Sequence, residues 1–263
     1  MAPARAEIGY AVEAGMAFAS RLILLACLAH PAAAQTDRAQ LPPAGDRLLV
    51  CNKAENTVSI FALATRTEVA VLKTGLGPHQ VAVSPDGRTA VVTNYGGAKP
   101  GHTLTVLDVV AAKVLRTINL SQPGDASTLT NQLFLRPHGV QFVSQDHAIV
   151  TSEATRKLVL VDIQAGAIHR TWSTPQQTVH MVAVTLDGKH AAASSGADGM
   201  VVFLDLRADA RTLPMPIRLG AGVAGLAVHP LTGDAWVANQ STNNLSIVSR
   251  KTGEVLATHD TGV

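Results

Sequence analysis

The feature that most constrains this chain is a short apolar segment that returns at near-regular intervals. The segments end at Asn52, Asn94, Glu153, Ser195 and Asn239. Three of the four intervals are 42 to 44 residues long, and the fourth, of 59 residues, carries an insertion. A unit of this length that recurs along a chain predicts a solenoid or a propeller instead of a domain with one undivided core.

The flanks of each apolar segment repeat as well. In the first unit, residues 48–52 (LLVCN) are followed by strand-like runs at 57–61 (TVSIF) and 68–72 (EVAVL). A Gly/Pro-rich link then leads to 80–83 (QVAV). Short alternating runs rich in Val, Ile, Leu and Thr predict β-strands. We therefore expect an all-β fold, a β-propeller of four-stranded antiparallel blades with about five repeat units.

One stretch carries a family resemblance. Residues 79–95 (HQVAVSPDGRTAVVTNY) resemble the repeat signature of the YVTN β-propeller family, and 90–94 (AVVTN) match its naming strand. The resemblance covers residues 45–263 and implies an exported, seven-bladed propeller. It extends, more distantly, to the propellers of nitrous oxide reductase, haem-type nitrite reductase, methylamine dehydrogenase heavy chain and lactonases. The chain has four innermost strands for five outer sets, so we expect an incomplete ring, truncated at the C-terminus.

The N-terminal region predicts export. Arg21 precedes a short apolar run at 22–29 (LILLACLA), and small residues follow it. This pattern is typical of a secretory signal peptide, which we place at residues 1–34, with a linker at 35–44. The run is shorter than the ~18–20 residues of a membrane-spanning helix. We therefore expect no transmembrane segment after cleavage and a periplasmic or secreted protein.

Two details of this region leave alternatives open. Met16 begins a more typical signal sequence than Met1 does, because residues 1–15 contain two glutamates. Cys27 lies where a lipoprotein would be lipidated, although the apolar stretch before it is short. Cleavage of the signal would leave Cys51 as the one cysteine of the mature chain, so no intrachain disulfide is expected.

Composition and motifs narrow the function classes. The net charge is +2, which gives no electrostatic footprint for nucleic acid. No nucleophile elbow, phosphate-binding loop or haem-attachment motif occurs in the sequence. We therefore expect a non-enzymatic binding scaffold whose partner is a protein or a small molecule.

Three histidines come just before innermost strands, at His79, His138 and His180. Successive strands of a blade run antiparallel, so each innermost strand begins on the face where the next strand ends. The histidines should therefore converge at one mouth of the central channel. Imidazoles beside the carboxylate of Glu153 suit zinc, copper or iron, and the resemblance to nitrous oxide reductase also implies a transition-metal or haem site. The alternative is that each histidine bonds the neighbouring blade and fixes its angle.

The same face supplies the predicted ligand-binding residues of the channel mouth. These are Asn52, Asn94, Tyr95, Glu153, Ser195 and Asn239. Two further functions stay open beside the scaffold. One is a metal- or haem-binding, redox-associated propeller that uses the three histidines. The other is a lactonase-like hydrolase, which depends on similarity of fold alone.

Overall fold

The computed structural model describes residues 45–122, 132–208 and 216–262. Regular structure in these ranges is β-strand, apart from two short 3-10 turns at Glu153–Thr155 and Gln240–Thr242. No helix in the described ranges is long and apolar enough to cross a membrane. The predicted signal peptide and linker, residues 1–44, lie outside the described residues.

Five antiparallel sheets follow one another along the chain as blades 1 to 5. Blade 1 has three strands, β1 Arg47–Asn52, β2 Thr57–Ala62 and β3 Thr67–Lys73. Blade 2 consists of β4 Pro78–Val83, β5 Thr89–Gly96, β6 Pro100–Asp108 and β7 Lys113–Asn119. A two-stranded ribbon, β8 Ser121–Gln122 and β9 Gln132–Leu133, precedes blade 3.

The remaining blades have four strands each. Blade 3 consists of β10 Pro137–Phe142, β11 His147–Ser152, β12 Lys157–Asp162 and β13 Ala167–Ser173. Blade 4 consists of β14 Val182–Val184, β15 His190–Ser195, β16 Met200–Asp205 and β17 Pro216–Arg218. Blade 5 consists of β18 Val223–Val228, β19 Ala235–Asn239, β20 Asn244–Val248 and β21 Val255–Asp260. The prediction of an all-β propeller with about five repeat units is confirmed. The seven-bladed ring and the C-terminal truncation stay predictions.

Cross-strand pairing corrects the alignment of the third unit. Asn94 is the partner of Pro78, and in blade 3 the equivalent partner of Pro137 is Ser152. Ser152 therefore takes the place that the sequence analysis gave to Glu153. Glu153 follows its strand by one residue, so it is equivalent to Tyr95 and not to Asn94.

The hydrophobic core lies between the blades. Because side chains alternate along a strand, each sheet presents one apolar face to the blade before it and one to the blade after it. In β5, Val91 packs toward blade 3, whereas Ala90 and Val92 pack toward blade 1. In β15, Ala191 and Ala193 pack against blade 3, and Ala192 packs against blade 5. Four such clusters join the five sheets into an arc whose innermost strands lie side by side.

A buried hydroxyl joins blades 2 and 3, blades 3 and 4, and blades 4 and 5 at the inner edge. Thr151 Oγ accepts the backbone N–H of Gly139 in its own blade at 2.7 Å and donates to the carbonyl oxygen of His180 at 2.8 Å. Thr93 makes the same bond to the carbonyl of His138 at 2.9 Å, and Ser194 makes it to Ala224 at 2.9 Å. We call these contacts hydroxyl rungs. Two of them hold the backbone of predicted site histidines.

Candidate functional site

The three predicted histidines converge where the innermost strands begin. His79 and His138 are the second residues of β4 and β10, and His180 lies two residues before β14. A β-bulge follows each of the first two histidines, between Pro78 and Val81 and in the matching part of β10. Bulges redirect side chains and are frequent beside functional sites. The sequence therefore places one imidazole from each of three consecutive blades at the same face.

The three imidazoles lie in a row, with each ring in contact with the next. His79 Nε2 lies 2.7 Å from His138 Nε2, and the two rings are perpendicular. The ring centroids of His138 and His180 are 3.9 Å apart. His138 is the deepest of the three, with 5% of its surface exposed. Its Nδ1 is buried and makes no hydrogen bond within the described part of the chain.

A second row of side chains stands beside the histidines. Its members are the residues that come directly after the equivalent positions Asn52, Asn94 and Ser152 in blades 1, 2 and 3: Lys53, Tyr95 and Glu153. Tyr95 donates its hydroxyl to Glu153 Oε2 at 2.6 Å, and Glu153 Oε1 lies 3.3 Å from His180 Nδ1. Both carboxylate oxygens are therefore engaged within the site.

Two cations flank the ring of Tyr95. Lys53 Nζ is 5.3 Å and Arg136 Cζ is 4.9 Å from the ring centroid, distances at which a cation is attracted to an aromatic ring. Arg136 comes from the link before β10, where its backbone adopts a positive φ and its side chain donates to the carbonyl of Gly97. We refer to the whole group as the channel-face cluster: Lys53, His79, Tyr95, Arg136, His138, Glu153 and His180.

Burial and charge shift the protonation of this cluster. Burial, reinforced by electrostatic repulsion from the neighbouring His180, His79 and Lys53, lowers the pKa of His138 to about 2, so its imidazole is neutral at pH 7. Burial and the hydrogen bond to Glu153 raise the pKa of Tyr95. Burial alone would raise the pKa of Glu153, but the hydrogen bonds from His180 and Tyr95 outweigh it and lower that pKa. Glu153 is thus a carboxylate and Tyr95 a neutral phenol.

The donor set partly fits a transition metal. Neutral imidazoles are the commonest nitrogen ligands of zinc and copper, and His138 is neutral. A carboxylate that holds a histidine, as Glu153 holds His180, is a common second shell of such sites. As the side chains stand, however, no three His, Cys, Asp or Glu residues in the described part of the chain are arranged to hold a metal ion. The predicted metal role of His79, His138 and His180 stays a prediction.

The remaining predicted site residues tie strands together inside their own blades. Asn94, 1% exposed, donates to the hydroxyls of Thr103 and Thr105, and Asn52 and Asn239 bond the following strand in the same way. Ser195 is fully buried and bonds Asp198. Their predicted ligand-binding role is not tested by these contacts and is not favoured by them. Tyr95 and Glu153, by contrast, lie in the cluster.

Sequence reasoning missed Lys53 and Arg136 as members of the cluster. The repeat alignment could have identified Lys53, because Lys53 follows Asn52 in the same way that the predicted site residue Tyr95 follows Asn94. Arg136 precedes Pro137 in the link that carries His138. Cys51 lies close in sequence but outside the cluster. It is 3% exposed, and burial raises the pKa of its thiol to about 12, as expected for a packing residue.

The sheets, their radial order and the cluster at the inner edge define a β-propeller with a polar site where its blades meet. Residues 13–129, a stretch that contains blades 1 and 2, match the family model of YNCE-like beta-propellers. This stretch is 117 of the 263 residues, and its match supports the YNCE/YVTN-type resemblance that the repeat signature predicts.

Solved structures support the same fold. Hydrazine synthase from Kuenenia stuttgartiensis matches 80% of this chain with a TM-score of 0.63 and 19% sequence identity. The match covers 62% of the hydrazine synthase chain, less than two thirds of its length, and at this identity it shows the fold alone. In all, 1520 chains of solved structures match, so the architecture is too widespread to identify an activity. No curated protein matches the chain.

Proposed function

We propose that this protein is a non-enzymatic binding scaffold that takes a small-molecule ligand at the channel-face cluster. The observation that carries the proposal is convergence: side chains from three consecutive blades and the links between them meet at one face. Polar groups that converge from several rigid elements are typical of ligand sites. The hydroxyl rungs support this role, because they fix the backbone of His138 and His180 before any ligand arrives.

A binding screen tests the proposal. The full chain is heated with neutral, cationic and anionic small molecules, and the unfolding midpoint is compared with that of H79A and Y95F. We expect at least one compound to raise the midpoint of the wild type and to lose most of that effect in both variants. His169→Ala is the matched control, because His169 lies on β13 beside His147, away from the cluster. Stabilisation that is the same in all variants, or none with any compound, contradicts the proposal.

A transition-metal site is the second candidate, and one contact favours it. Two Nε2 atoms 2.7 Å apart, one on a neutral imidazole, need little outward movement to share a metal ion with bonds of about 2.0–2.1 Å. Metal content of the purified full chain, by mass spectrometry, is compared between wild type, H79A/H138A and the control pair H147A/H169A. Stoichiometric metal that is lost only from H79A/H138A supports this candidate. Metal content that does not depend on His79 and His138 removes it.

We also propose export to the periplasm or the medium, which the sequence at residues 1–34 supports. Expression from Met1 and from Met16 in a secreting bacterium, followed by N-terminal sequencing, tests this. We expect mature protein that begins at Gln35 in both cases. Full-length chain retained in the cytoplasm contradicts export. A lipid attached at Cys27 would show that the protein is processed as a lipoprotein and is not cleaved after Ala34.

A further inference from the structure

We infer that a second ligand site lies between blades 4 and 5, on the face opposite the channel-face cluster, and that it takes a small aliphatic monocarboxylate. The inference goes beyond the proposed function, because it concerns another face of the propeller and other residues. It is carried by Arg250, which occupies a position where blades 1 to 4 have an apolar side chain.

The first step is the departure of Arg250 from the repeat. Cross-strand pairing aligns the end of β20 with the ends of β6, β12 and β16, so Arg250 is equivalent to Ile163 of blade 3. In blades 2, 3 and 4 the residue at this position is at most 8% exposed and belongs to the apolar cluster between its blade and the preceding one. Arg250 therefore puts a charged group where the repeat has a buried apolar side chain. The apolar residues at this position in blades 1 to 4 are Leu63, Val109, Ile163 and Leu206.

The second step is the cavity that Arg250 lines. It has a volume of about 290 Å³, near the lower end of the range of small-molecule sites. Its other walls include Thr185 and His190 from blade 4 and Pro230 and Leu231 from blade 5. The innermost strands begin at the channel-face cluster and end at the turns that form these walls, so the cavity lies on the opposite face.

The third step is the set of contacts that the guanidinium makes. The side chain of Arg250 donates no hydrogen bond and forms no salt bridge within residues 45–122, 132–208 and 216–262, although its Nε is buried. Gly233 leaves room for it, because a Cβ there would stand 2.6 Å from Nε. Burial and the charge of Arg250 lower the pKa of His190, so the guanidinium lies within electrostatic reach of blade 4. Buried polar groups are normally hydrogen-bonded, and this one lacks an acceptor that a ligand could supply.

The charges around the cavity limit what that acceptor can be. Asp234 accepts the backbone N–H of Arg250 at 3.0 Å. Asp187 is bonded by the hydroxyl of Thr185 and lies 3.8 Å from Lys189 Nζ. Both carboxylates would repel a dianion, and Arg250 would repel a cation. A singly charged carboxylate avoids both penalties, and it can accept two parallel hydrogen bonds from a guanidinium.

An alkyl chain on the ligand would use the apolar part of the lining. Leu186 and Leu231 stand on the two turns that border the cavity and are 78% and 87% exposed. Contact with an alkyl chain would remove this apolar surface from water, which is favourable in proportion to the area covered. The carboxylate is therefore expected at Arg250 and the chain beside the two leucines.

Calorimetry of the full chain with hexanoate, acetate and 1-hexanol tests the inference, in chloride buffer of constant ionic strength. We expect hexanoate to bind best, because acetate lacks the chain and hexanol lacks the charge. Arg250→Leu, which restores the residue type of the repeat, should weaken hexanoate binding about tenfold or more. Leu231→Ser should weaken the binding of hexanoate but not that of acetate. Lys251→Leu is the matched control, since it removes a charge from an exposed neighbour that does not line the cavity.

Each outcome supports or overturns a stated part of the inference. Hexanol that binds as well as hexanoate overturns the carboxylate, and acetate that binds as well overturns the aliphatic chain. Hexanoate binding that R250L does not weaken, or no hexanoate binding at all, overturns the site. If R250L does not fold, R250Q gives the same decision. H79A should bind hexanoate as the wild type does, so the failure of this site and the failure of the proposed function are separate results.

Discussion

Glu153 shows how a single side chain can organise this site. Its two oxygens join Tyr95, from the end of β5, to His180, from the link before β14, and so connect blades 2, 3 and 4. The side chain is 17% exposed, and its charge persists because two donors compensate for the water that it has lost. The carboxylate is therefore expected to stabilise the fold as well as to shape the cluster.

Replacement of Glu153 by Gln should lower stability at pH 7 by about 1–2 kcal/mol, because the amide can accept one of the two hydrogen bonds but not both. The folded pKa of Glu153 lies below the ordinary value of 4.5. The stabilising contribution is therefore present above pH 4.5 and is lost as the pH falls through the folded pKa. The difference between wild type and E153Q, measured from urea midpoints, should shrink as the pH falls below 4.5. Glu68→Gln, on the exposed strand β3, is the control.

A stability difference between wild type and E153Q that stays constant over this pH range contradicts the assignment of Glu153 as the charged centre of the cluster.

The sequence predicted much of the site at this scale. Alternating strand direction places His79, His138 and His180 at one face, and their convergence needs nothing beyond the order of strands. The engagement of Glu153 by Tyr95 could not be derived, because it depends on side-chain rotamers set by packing. The alignment of Glu153 with Asn94 was wrong by one residue, since an insertion hides the register that only cross-strand pairing reveals.

Contacts between strands of neighbouring blades hold one blade to the next, and the hydroxyl rungs are among them. Each hydroxyl rung joins the second strand of one blade to the innermost strand of the following blade or, at His180, to the link just before it. The sequence analysis offered inter-blade bonding by histidine as an alternative to metal binding. The rungs show a related arrangement, in which the carbonyl at the histidine position, and not its imidazole, accepts the bond. Ala224 takes the same role in blade 5 without an imidazole.

Thr151→Val tests a rung while keeping the shape of the side chain. We expect a loss of about 1 kcal/mol in the free energy of unfolding, because the N–H of Gly139 and the carbonyl of His180 each lose one partner and keep only the 3.2 Å bond between them. Thr151→Ser keeps the hydroxyl and is the matched control. Chemical denaturation of both variants gives the comparison, and equal losses in the two would show that the hydroxyl contributes nothing.

A second prediction concerns the link that carries His79. Gly77 has a φ of +61°, and a Cβ there would stand 2.3 Å from the carbonyl oxygen of Gly96, beside Tyr95. Gly87 has a φ of +73° in an open turn with nothing within 4 Å of its Cβ position. Gly87→Ala should therefore cost about 1–2 kcal/mol for backbone conformation alone. Gly77→Ala should cost a further ~1–3 kcal/mol for the forced displacement.

Thermal unfolding of the two alanine variants measures this difference. Ligand binding by G77A should fall as well, since the link and the end of β5 bond each other through Tyr95 N and Gly96 N. Equal destabilisation by the two substitutions would show that Gly77 is needed only for its φ.

At the scale of the molecule, stability comes from faces shared between neighbours. The second strands β5 and β11 are buried along nearly their whole length, whereas the outermost strands β3 and β21 are largely exposed. Blades 2, 3 and 4 have an apolar cluster on both faces. Stability in such arrays is approximately a sum of unit and nearest-neighbour contributions.

Hydrogen exchange should follow that pattern. We expect amides of β5, β11 and β15 to exchange slowest, and those of β3 and β21 to exchange fastest, because local opening is easiest where few apolar contacts are broken. Mass spectrometry of peptides after exchange measures the order. Uniform protection across the five blades would contradict stability built from neighbouring interfaces.

The fold was more predictable than the site for a physical reason. The fold is visible in period-two alternation, in glycine turns and in a repeat near 43 residues. These patterns reflect the backbone conformation and the burial of side chains, which are the same in every blade of a propeller. In the channel-face cluster the histidines repeat from blade to blade, whereas the row beside them does not, because Lys53, Tyr95 and Glu153 stand at one equivalent position. Positions that stay similar, such as Asn52, Asn94 and Asn239, proved to be ties within a sheet.

The hydroxyl rungs have one more consequence. Because each rung and the apolar cluster beside it act between two neighbouring sheets, the contacts that fix the rotation from one sheet to the next are local. A unit copied into the gene at any of these boundaries would bring its own fastening and the same angular pitch, provided that Ser or Thr occupies the position of Thr151. A propeller of this kind could therefore gain blades by gene duplication without changes to the contacts between its innermost strands.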